Sequence, residues 1–288
     1  MIQITRDRNA IPAAFRPPGS SKNETSLLGA RLDHLIRLQS DSNAGHGYSS
    51  SWWKAAKKQL IKESHGKCAY CESGATAISY GDVEHFRPKA SWWWLTCSWE
   101  NYLFSCQLCN QQYKGENFPI AGTITKAPVK ITTTTTTKAL TALVGKLVPD
   151  PTKKALCDAA WKKLFTAEKP GLIDPNHEDP ETYFAYEADD VKGLVSVIPR
   201  SNGAQVKRRV ADCIQYYGLN REELCVLRYD LYETLATVRD SLEGMKAASK
   251  AKVLKRLERH VASKKQFAGM CRYFLIDDWG LLSPNLRV

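Results

Sequence analysis

The apolar residues near the start of the chain recur at helical spacing in two segments. From Asn23 to about Ser40 they fall three or four positions apart, which predicts a helix of roughly four turns. A second helix is predicted from Trp52 to about His65, because Gly66 follows where a helix commonly ends. The apolar positions are Leu27, Leu28, Leu32, Leu35, Ile36 and Leu38 in the first segment and Trp53, Ala56, Leu60 and Ile61 in the second.

Several other segments have no regular spacing of apolar residues. Residues 1–22 predict an extended arm, and the Ser/Asn/Gly-rich residues 41–51 predict a loop. Between Lys67 and Ile120 short pieces dense in Cys, Trp, Asn, Gly and Pro predict a small module organised by a metal ion. The threonine run Thr132–Thr137 predicts a solvent-facing strand or loop.

The last third of the chain predicts one β-hairpin followed by helices. Residues 182–186 and 194–198 are rich in strand-forming residues and flank a turn. A helix over 204–217 should stop at Gly218, and Asn220 with Glu223 resembles a capping box that opens a longer helix. Residues 246–260 and 266–276 predict two more helices.

The composition of the chain indicates the size of the fold, its charge and its compartment. A chain of 288 residues with 43% hydrophobic content can form one elaborated domain or two small ones. The formal net charge of +11 would fall only to +9 with four thiolates around one zinc ion, and a basic surface favours an anionic partner such as nucleic acid. No stretch has the roughly 18 apolar residues of a membrane span, and residues 1–18 lack the order of a signal peptide, which predicts a cytoplasmic protein.

Two Cys-x-x-Cys pairs indicate a metal site. Cys68 with Cys71, and Cys106 with Cys109, have the spacing that directs two sulfurs at one tetrahedral ion. They predict one structural zinc ion, because four thiolates leave no open coordination position. A redox motif is the alternative, although it would need only one pair. The five single cysteines lie in apolar surroundings and predict buried side chains.

The interval between the pairs carries a candidate for phosphodiester hydrolysis. Residues 82–89 read DVEHFRPK, residues 99–103 read WENYL, and Asn110 follows the last ligand cysteine. Such hydrolysis needs a base for water, and neutral imidazole has a suitable pKa, which makes His85 the candidate. The order and residue types over about 64–120 resemble the HNH endonucleases. The pieces CAYCE, EHFRPK, CN followed by Lys114, and Phe118-Pro119 are similar to the PtuB-type nucleases of Septu and retron anti-phage systems.

The resemblance implies roles for the residues around His85. Asn101 matches the central asparagine of the family, which would orient the imidazole through a ring nitrogen or its neighbouring backbone. Glu84 and Asn110 match the positions that bind the catalytic ion, and oxygen donors favour Mg²⁺ or Mn²⁺. The chain departs from the commonest pattern here, since many members have aspartate at Glu84 and histidine at Asn110.

Other side chains near these motifs have two interpretations each. Arg87 and Lys114 are candidates for binding substrate phosphate, and the alternative is that they are merely solvated. The tryptophans Trp92–Trp94 could stack on bases, but we favour a contribution to the core.

The resemblance completes the expected architecture. We expect an α+β fold, in which a mainly helical protein carries a small zinc-stabilised ββα-metal (HNH) module and an additional β-hairpin. Residues 1–51 would form the N-terminal arm and helix, residues 52–125 the nuclease module, and residues 126–288 a mostly helical region that docks a partner.

Two functions follow from the sequence. The first is a metal-dependent HNH endonuclease, the effector of a Septu or retron defence complex with a PtuA-like ATPase of the ABC or SMC kind and, in a retron, the reverse transcriptase and its DNA product. The second is a non-catalytic zinc module that binds nucleic acid or an assembly partner. The residues leave open whether the substrate is DNA or RNA.

Overall fold

A computed structural model describes residues 1–16, 37, 40, 49–76, 79–128, 130–132, 134–136, 138–139 and 147–287. The described part has an α+β fold, in which helices surround two separate two-stranded antiparallel sheets. The helix predicted over 23–40 and the loop predicted over 41–51 fall mostly outside the described residues, and the threonine run is described only in part. Among the described helices, none combines the length and apolar character of a membrane span.

The helix predicted before the first cysteine pair is present in two pieces, α1 (Ser51–Lys54) and α2 (Lys57–Glu63). Their inner side buries Ala56 and Leu60, which are four positions apart and therefore share one face. The helix ends at Glu63, and Gly66 closes the turn after it by donating from its backbone N to Ile61 O at 2.8 Å. Gly66 has a left-handed φ of 74°, and a Cβ atom there would lie within 2.7 Å of Thr76 Oγ1. The chain then turns directly into Cys68.

The first sheet lies between the two cysteine pairs. Strand β1 (Asp82–His85) runs antiparallel to β2 (Tyr102–Ser105), with His85 opposite Tyr102 and Asp82 opposite Ser105. Two 3₁₀ turns, Trp93–Leu95 and Trp99–Asn101, connect the strands. A π-helix, Leu108–Lys114, follows β2 and contains Cys109 near its start. We call it the knuckle helix.

The second sheet is the predicted hairpin, with β3 (Phe184–Asp189) paired to β4 (Leu194–Pro199). The predicted helices after it are confirmed as α4 (Ala204–Tyr217), α5 (Glu222–Ser241), α6 (Ala247–Leu257) and α7 (Ala268–Arg272), the last continuing into a π-helix, Tyr273–Asp278. Helix α3 (Lys154–Glu168) was not predicted from the pattern.

The predicted capping box at Asn220 is wrong. Helix α5 has Arg221 at its N-cap position. The Asn220 side chain instead bonds the backbone of β4, accepting from Val197 N at 2.8 Å and donating to Val197 O at 2.9 Å. The backbone groups at the edge of a strand and those at the start of a helix can both bind an asparagine side chain, and here Asn220 binds the strand.

Contacts join the cysteine-rich part to the rest of the chain. Tyr70 stacks on Tyr217 of α4 with ring centroids 3.8 Å apart. A Cβ atom at Gly218 would lie 2.6 Å from the Tyr113 ring, so α4 approaches the knuckle helix as closely as a glycine permits. On the other side the N-terminal arm packs Phe15 against Trp99, with centroids 5.4 Å apart. These contacts join residues on opposite sides of the predicted domain boundaries at 51/52 and 125/126. The division into three domains stays a prediction.

Candidate metal centre and active-site cleft

The four paired cysteines meet in one cluster. Their sulfur atoms all lie within 4.8 Å of one another, and the Sγ atoms of Cys71 and Cys106 are 4.0 Å apart. Backbone bonds shape the first turn, where Cys68 N donates to Ser73 O at 2.9 Å and Glu72 N donates to Cys68 O at 3.0 Å. Ala69 N donates to Phe104 O at 2.8 Å, which ties this turn to β2 beside the second pair.

The donor set suits a tetrahedral ion. A zinc ion with bonds of about 2.3 Å to four sulfurs would hold those sulfurs about 3.8 Å apart, close to the spacing here. Cys68, Cys71 and Cys109 are buried and Cys106 is half-buried, so the protein encloses the cluster. The cluster can therefore hold a metal ion such as zinc.

Arg221 contacts this cluster and was not predicted from the sequence. Its Nη1 atom donates to Cys109 Sγ at 3.6 Å and to Gly218 O at 2.9 Å. A guanidinium group beside thiolate ligands offsets their negative charge, as partners of metal ligands commonly do. The start of α5 therefore supports the cysteine cluster from a position far along the sequence.

His85 lines a polar cleft of about 270 Å³ together with residues of α1, β1 and the knuckle helix. The His85 side chain is almost fully buried, and its Nε2 atom lies 3.0 Å from Thr96 O. Because a carbonyl oxygen can only accept a hydrogen bond, Nε2 must carry the proton. In the neutral ring the lone pair is then on Nδ1, and this is the nitrogen that can act as a base.

The surroundings of His85 keep its ring neutral. Burial and the charge of Lys89, joined by that of Lys114, lower the pKa of His85 to about 3 although the bond to Thr96 opposes the shift. Trp53 and Tyr102 pack edge-to-face with the ring at centroid distances of 4.8 and 5.1 Å. The imidazole is thus held in one orientation and is neutral near pH 7.

Asn101 acts on the backbone that surrounds His85. Its Oδ1 accepts from Arg87 N at 2.8 Å, and its Nδ2 donates to Arg87 O at 3.0 Å and to Leu95 O at 3.3 Å. The side chain is fully buried. It therefore ties the segment after His85 to the turn that presents Thr96 O. The sequence left open whether Asn101 bonds a ring nitrogen of His85 or the neighbouring backbone. The described hydrogen bonds of its side chain go to the backbone.

Glu84 and Lys114 form a buried ion pair behind the cleft. Lys114 Nζ lies 2.5 Å from Glu84 Oε1 and donates to His85 O at 3.0 Å, and Tyr70 OH donates to the same Oε1 at 3.3 Å. Burial raises the pKa of Glu84, while Lys114 acts in the opposite direction. Lys114 is thus a counter-ion of Glu84 on the inside of the protein.

Asn110 is held by Asp82, which was not predicted as a site residue. Asn110 Nδ2 donates to Asp82 Oδ2 at 3.1 Å, and Gln111 Nε2 donates to the same oxygen at 2.9 Å. Asp82 and Glu84 are two positions apart in β1 and so face the same side of the strand. That alternation was the signal in the sequence that could have identified Asp82. The three residues Asp82, Glu84 and Asn110 all line the cleft.

Arg87 lies outside the cleft, which does not support its predicted contact with substrate phosphate. Its side chain is 0% exposed, and Nε donates to Glu168 Oε2 at 2.8 Å. The guanidinium carbon lies 4.5 Å from the Trp161 ring centroid. Aromatic rings of α3 and of Phe86 and Phe118 cover the group, so a phosphate has no access to it in this structure. The same Glu168 accepts from Trp92 Nε1 at 2.8 Å, and Trp92 and Trp94 are buried, so their predicted place in the core is confirmed.

Comparison with known proteins links the chain to one group. Two curated proteins match, both named Septu protein PtuB. The one from Bacillus mycoides is 41% identical over 80 residues, which cover 23% of this chain and 27% of the relative. The one from Bacillus thuringiensis is 42% identical over 64 residues, which cover 22% of this chain and 25% of the relative. The chain is similar to PtuB.

The similarity is local. The chain spans about a quarter of the length of the PtuB relatives that it matches. No family model matches the chain, and no solved structure matches it. The resemblance to PtuB stated from the motifs is confirmed, and the activity and partners of the whole protein are matters for proposal.

Proposed function

We propose that the protein is a metal-dependent HNH endonuclease. One observation carries the proposal: a neutral, fixed imidazole with Nδ1 as its basic atom lines the same polar cleft as the oxygen donors Asp82, Glu84 and Asn110. Strands β1 and β2 with the knuckle helix follow the ββα order of that family, and the cysteine pairs flank the strands. The PtuB resemblance supports the same conclusion.

In this proposal the residues of the cleft divide the reaction between them. His85 Nδ1 takes a proton from the attacking water, while its Nε2–H stays on Thr96 O. Asn101 keeps the turn that carries this carbonyl in place. The carboxylate of Glu84 and the amide oxygen of Asn110 are the groups that would hold Mg²⁺ or Mn²⁺. When bound, such an ion supplies positive charge to the leaving oxygen of the phosphodiester.

We assign the cysteine cluster to one structural zinc ion. Four thiolates close the coordination shell, so this ion would fix the fold and leave the chemistry to the cleft. Both turns that carry the cysteines lie next to β1 or β2. Zinc at this point would therefore set the distance between the strand that carries His85 and the knuckle helix that carries Asn110.

The test compares two identical substitutions. His85→Asn removes the base from the cleft, whereas His65→Asn changes an exposed histidine whose φ of 54° asparagine accepts readily. Loss of a general base costs about 10²- to 10⁴-fold in rate. We therefore expect metal-stimulated cleavage of DNA or RNA, including tRNA, to fall by that factor in His85→Asn only, with zinc content and circular dichroism unchanged. Full cleavage by folded His85→Asn would contradict the proposal.

We further propose that the protein serves anti-phage defence as the nuclease subunit of a Septu-type complex in the cytoplasm. The name of the curated relatives supports this step. The partner would be a PtuA-like ATPase of the ABC or SMC kind, and in a retron the reverse transcriptase and its DNA product would join it. Co-purification with proteins encoded by neighbouring genes tests the complex. Purification of the chain alone, with those genes expressed, would count against it.

A second candidate is a zinc-stabilised subunit that binds nucleic acid or a partner without cleaving. The Glu84–Lys114 pair favours it, because the ammonium group already neutralises the carboxylate that a divalent ion would need. Among the described residues, the four cysteines form a group of three or more His, Cys, Asp or Glu side chains that is close enough to hold an ion, and the carboxylates of the cleft form no such group. Retained binding with no cleavage of any nucleic acid, alone or with the partner, would establish this candidate.

A further inference from the structure

We propose that a row of lysines on α1 and α2 binds the phosphate backbone of the nucleic acid on one side of the cleft. The row consists of Lys54, Lys58 and Lys62, and we call it the lysine row. The inference rests on the proposed function in one respect, since it takes nucleic acid to be the substrate. It adds the path that the polymer follows outside the cleft.

The lysine row lies on the outer face of a nearly continuous helix. Its members are four positions apart, so they follow one face, and Ala56 and Leu60 bury the opposite face. All three lysines are exposed. Within the part of the chain that the structure describes, none of the three forms an ion pair. A rise of 1.5 Å per residue spaces them about 6 Å apart along the helix, which gives a repeating array of positive charge suited to a polyanion.

One end of the row begins at the cleft. Trp53, the neighbour of Lys54, lines the cleft, and its ring centroid is 4.8 Å from that of His85. Lys89 Nζ lies 5.3 Å from the Trp53 ring and also lines the cleft. A phosphate next to the scissile one, on the Trp53 side, would therefore leave the cleft beside Lys54.

The other end of the row, at Lys62, lies beside a hollow next to α2. Lys62 and Lys264 both line this hollow of about 600 Å³ on the far side of α2. Three acidic residues also line the hollow, Asp7, Glu63 and Glu72. Two of them have cationic partners, since Glu63 pairs with Arg6 at 2.6 Å and Glu72 with Lys67 at 3.1 Å.

A second set of basic side chains lies on α6 and in the turn after it. Lys252, Arg256 and Arg259 follow one face at spacings of four and three, and all are exposed. The described surface thus carries exposed positive charge on α1, α2 and α6, while oxygen-bearing side chains such as Asp82, Glu84 and Asn110 line the cleft itself. This distribution fits a substrate whose reacting phosphate lies in the cleft and whose neighbouring phosphates lie on lysine.

The experiment measures binding separately from cleavage. Full-length His85→Asn protein is titrated onto fluorescent 30-mers of single-stranded DNA, duplex DNA and RNA over a series of salt concentrations. The triple variant Lys54→Gln, Lys58→Gln, Lys62→Gln is compared with a control of equal charge change, Lys153→Gln, Lys162→Gln, Lys163→Gln, whose lysines are exposed on or beside α3. Each lost phosphate contact lowers the slope of log K against log salt by about 0.7 to 0.9. We expect a decrease of about 2 to 3 for the row and none for the control.

The outcomes separate this inference from the proposed function. Equal slopes for the row variant and the control, or no binding of any probe by the full chain, would overturn the lysine row. Catalysis is tested independently by hydrolysis of bis(4-nitrophenyl) phosphate, compared between the parent chain and His85→Asn. If neither protein hydrolyses this diester while the row variant still loses its salt slope, the nuclease proposal fails and the lysine row stands.

Discussion

Asp82 accepts hydrogen bonds from the amide groups of both Asn110 and Gln111. By binding Asn110 Nδ2, the carboxylate fixes which end of this amide remains available to a cation. Asp82 is therefore a positioning residue for the proposed catalytic ion, comparable to the outer partners that orient metal ligands elsewhere.

Asp82→Ala should weaken Mn²⁺ binding by about 10- to 100-fold, because removal of such a partner typically costs that much affinity. Electron paramagnetic resonance of free Mn²⁺, with the cysteine cluster saturated with zinc, gives the affinity without any need for turnover. Asp278→Ala, on the exposed end of the C-terminal π-helix, provides the control. Equal Mn²⁺ affinity in the two variants would show that Asp82 does not act on the site.

The buried His177 should make the free energy of unfolding depend on pH. Burial, with the charges of Arg6, Arg87 and Arg8, lowers its pKa to about 2. Imidazole in the unfolded chain titrates near 6.5, so the unfolded state gains a proton as the pH falls below that value and the folded state does not. The stability that His177 contributes is therefore fully present above about pH 6.5 and is lost below it, at up to about 1.4 kcal/mol per pH unit.

Urea unfolding at several pH values checks this dependence. We expect the free energy of unfolding of the parent, relative to His177→Gln, to stay constant from about pH 8 to 7 and to decrease from about pH 6.5 to 5.5. A difference that does not change with pH would mean that His177 takes up its proton over the same pH range in the folded and the unfolded chain. A difference that increases as the pH falls would mean that Glu100, whose Oε2 is 3.4 Å from His177 Nε2, stabilises the protonated ring in the folded state.

The sequence predicted those residues whose role is visible in a short motif. The cysteine spacing and the position of His85 between the pairs sufficed to bring out the cluster and the cleft. Arg87 and Lys114 could not be placed in this way, because the groups that bind them are 81 and 30 positions away, at Glu168 and Glu84. A basic residue beside a catalytic motif looks the same in a sequence whether it meets a substrate or an internal carboxylate.

Among the elements, α5 and the knuckle helix are coupled through Arg221. The guanidinium group touches Cys109 Sγ and holds the carbonyl of Gly218, so it connects the end of α4, the start of α5 and the cysteine cluster. The helix stop at Gly218 was predictable from glycine alone. The contact was not, because nothing in the spacing of Arg221 refers to a cysteine 112 positions earlier.

Arg221→Gln should lower zinc affinity by about 10- to 100-fold while the protein with zinc bound stays folded. Competition with a coloured zinc chelator measures the affinity. Arg239→Gln, on the same helix and paired with Asp240, is the control. Equal zinc affinity in the two variants would restrict Arg221 to a packing role.

The spacing of apolar residues in the sequence did not predict helix α3. Leu156 on its surface is 58% exposed, while Cys157 and Trp161 are buried on its other face. An apolar residue on the outside weakens the contrast on which helical periodicity depends. The β3–β4 hairpin was predicted correctly, because strand-forming residues and a turn lie within a few positions of each other.

At the scale of the whole molecule, the buried pair Arg87–Glu168 fastens the cleft to α3. Removing one partner of a buried pair leaves an uncompensated charge and typically costs about 3 to 5 kcal/mol. We expect Glu168→Ala to lower the free energy of unfolding by about that amount, whereas Glu187→Ala, exposed on β3, should change it little. Urea denaturation measures both. A loss equal to that of the control would show that the pair contributes nothing to stability.

The stack of Tyr70 on Tyr217 has a consequence for synthesis of the protein. The ribosome releases the cysteine pairs and His85 well before the residues of α4 that pack against them. An unfinished chain therefore exposes the Tyr70 ring and lacks the cover that Tyr217, Gly218 and Arg221 provide. The arrangement links completion of the cleft to completion of α4, so that a nascent or prematurely terminated polypeptide carries the residues of the proposed active site without the surroundings that position them.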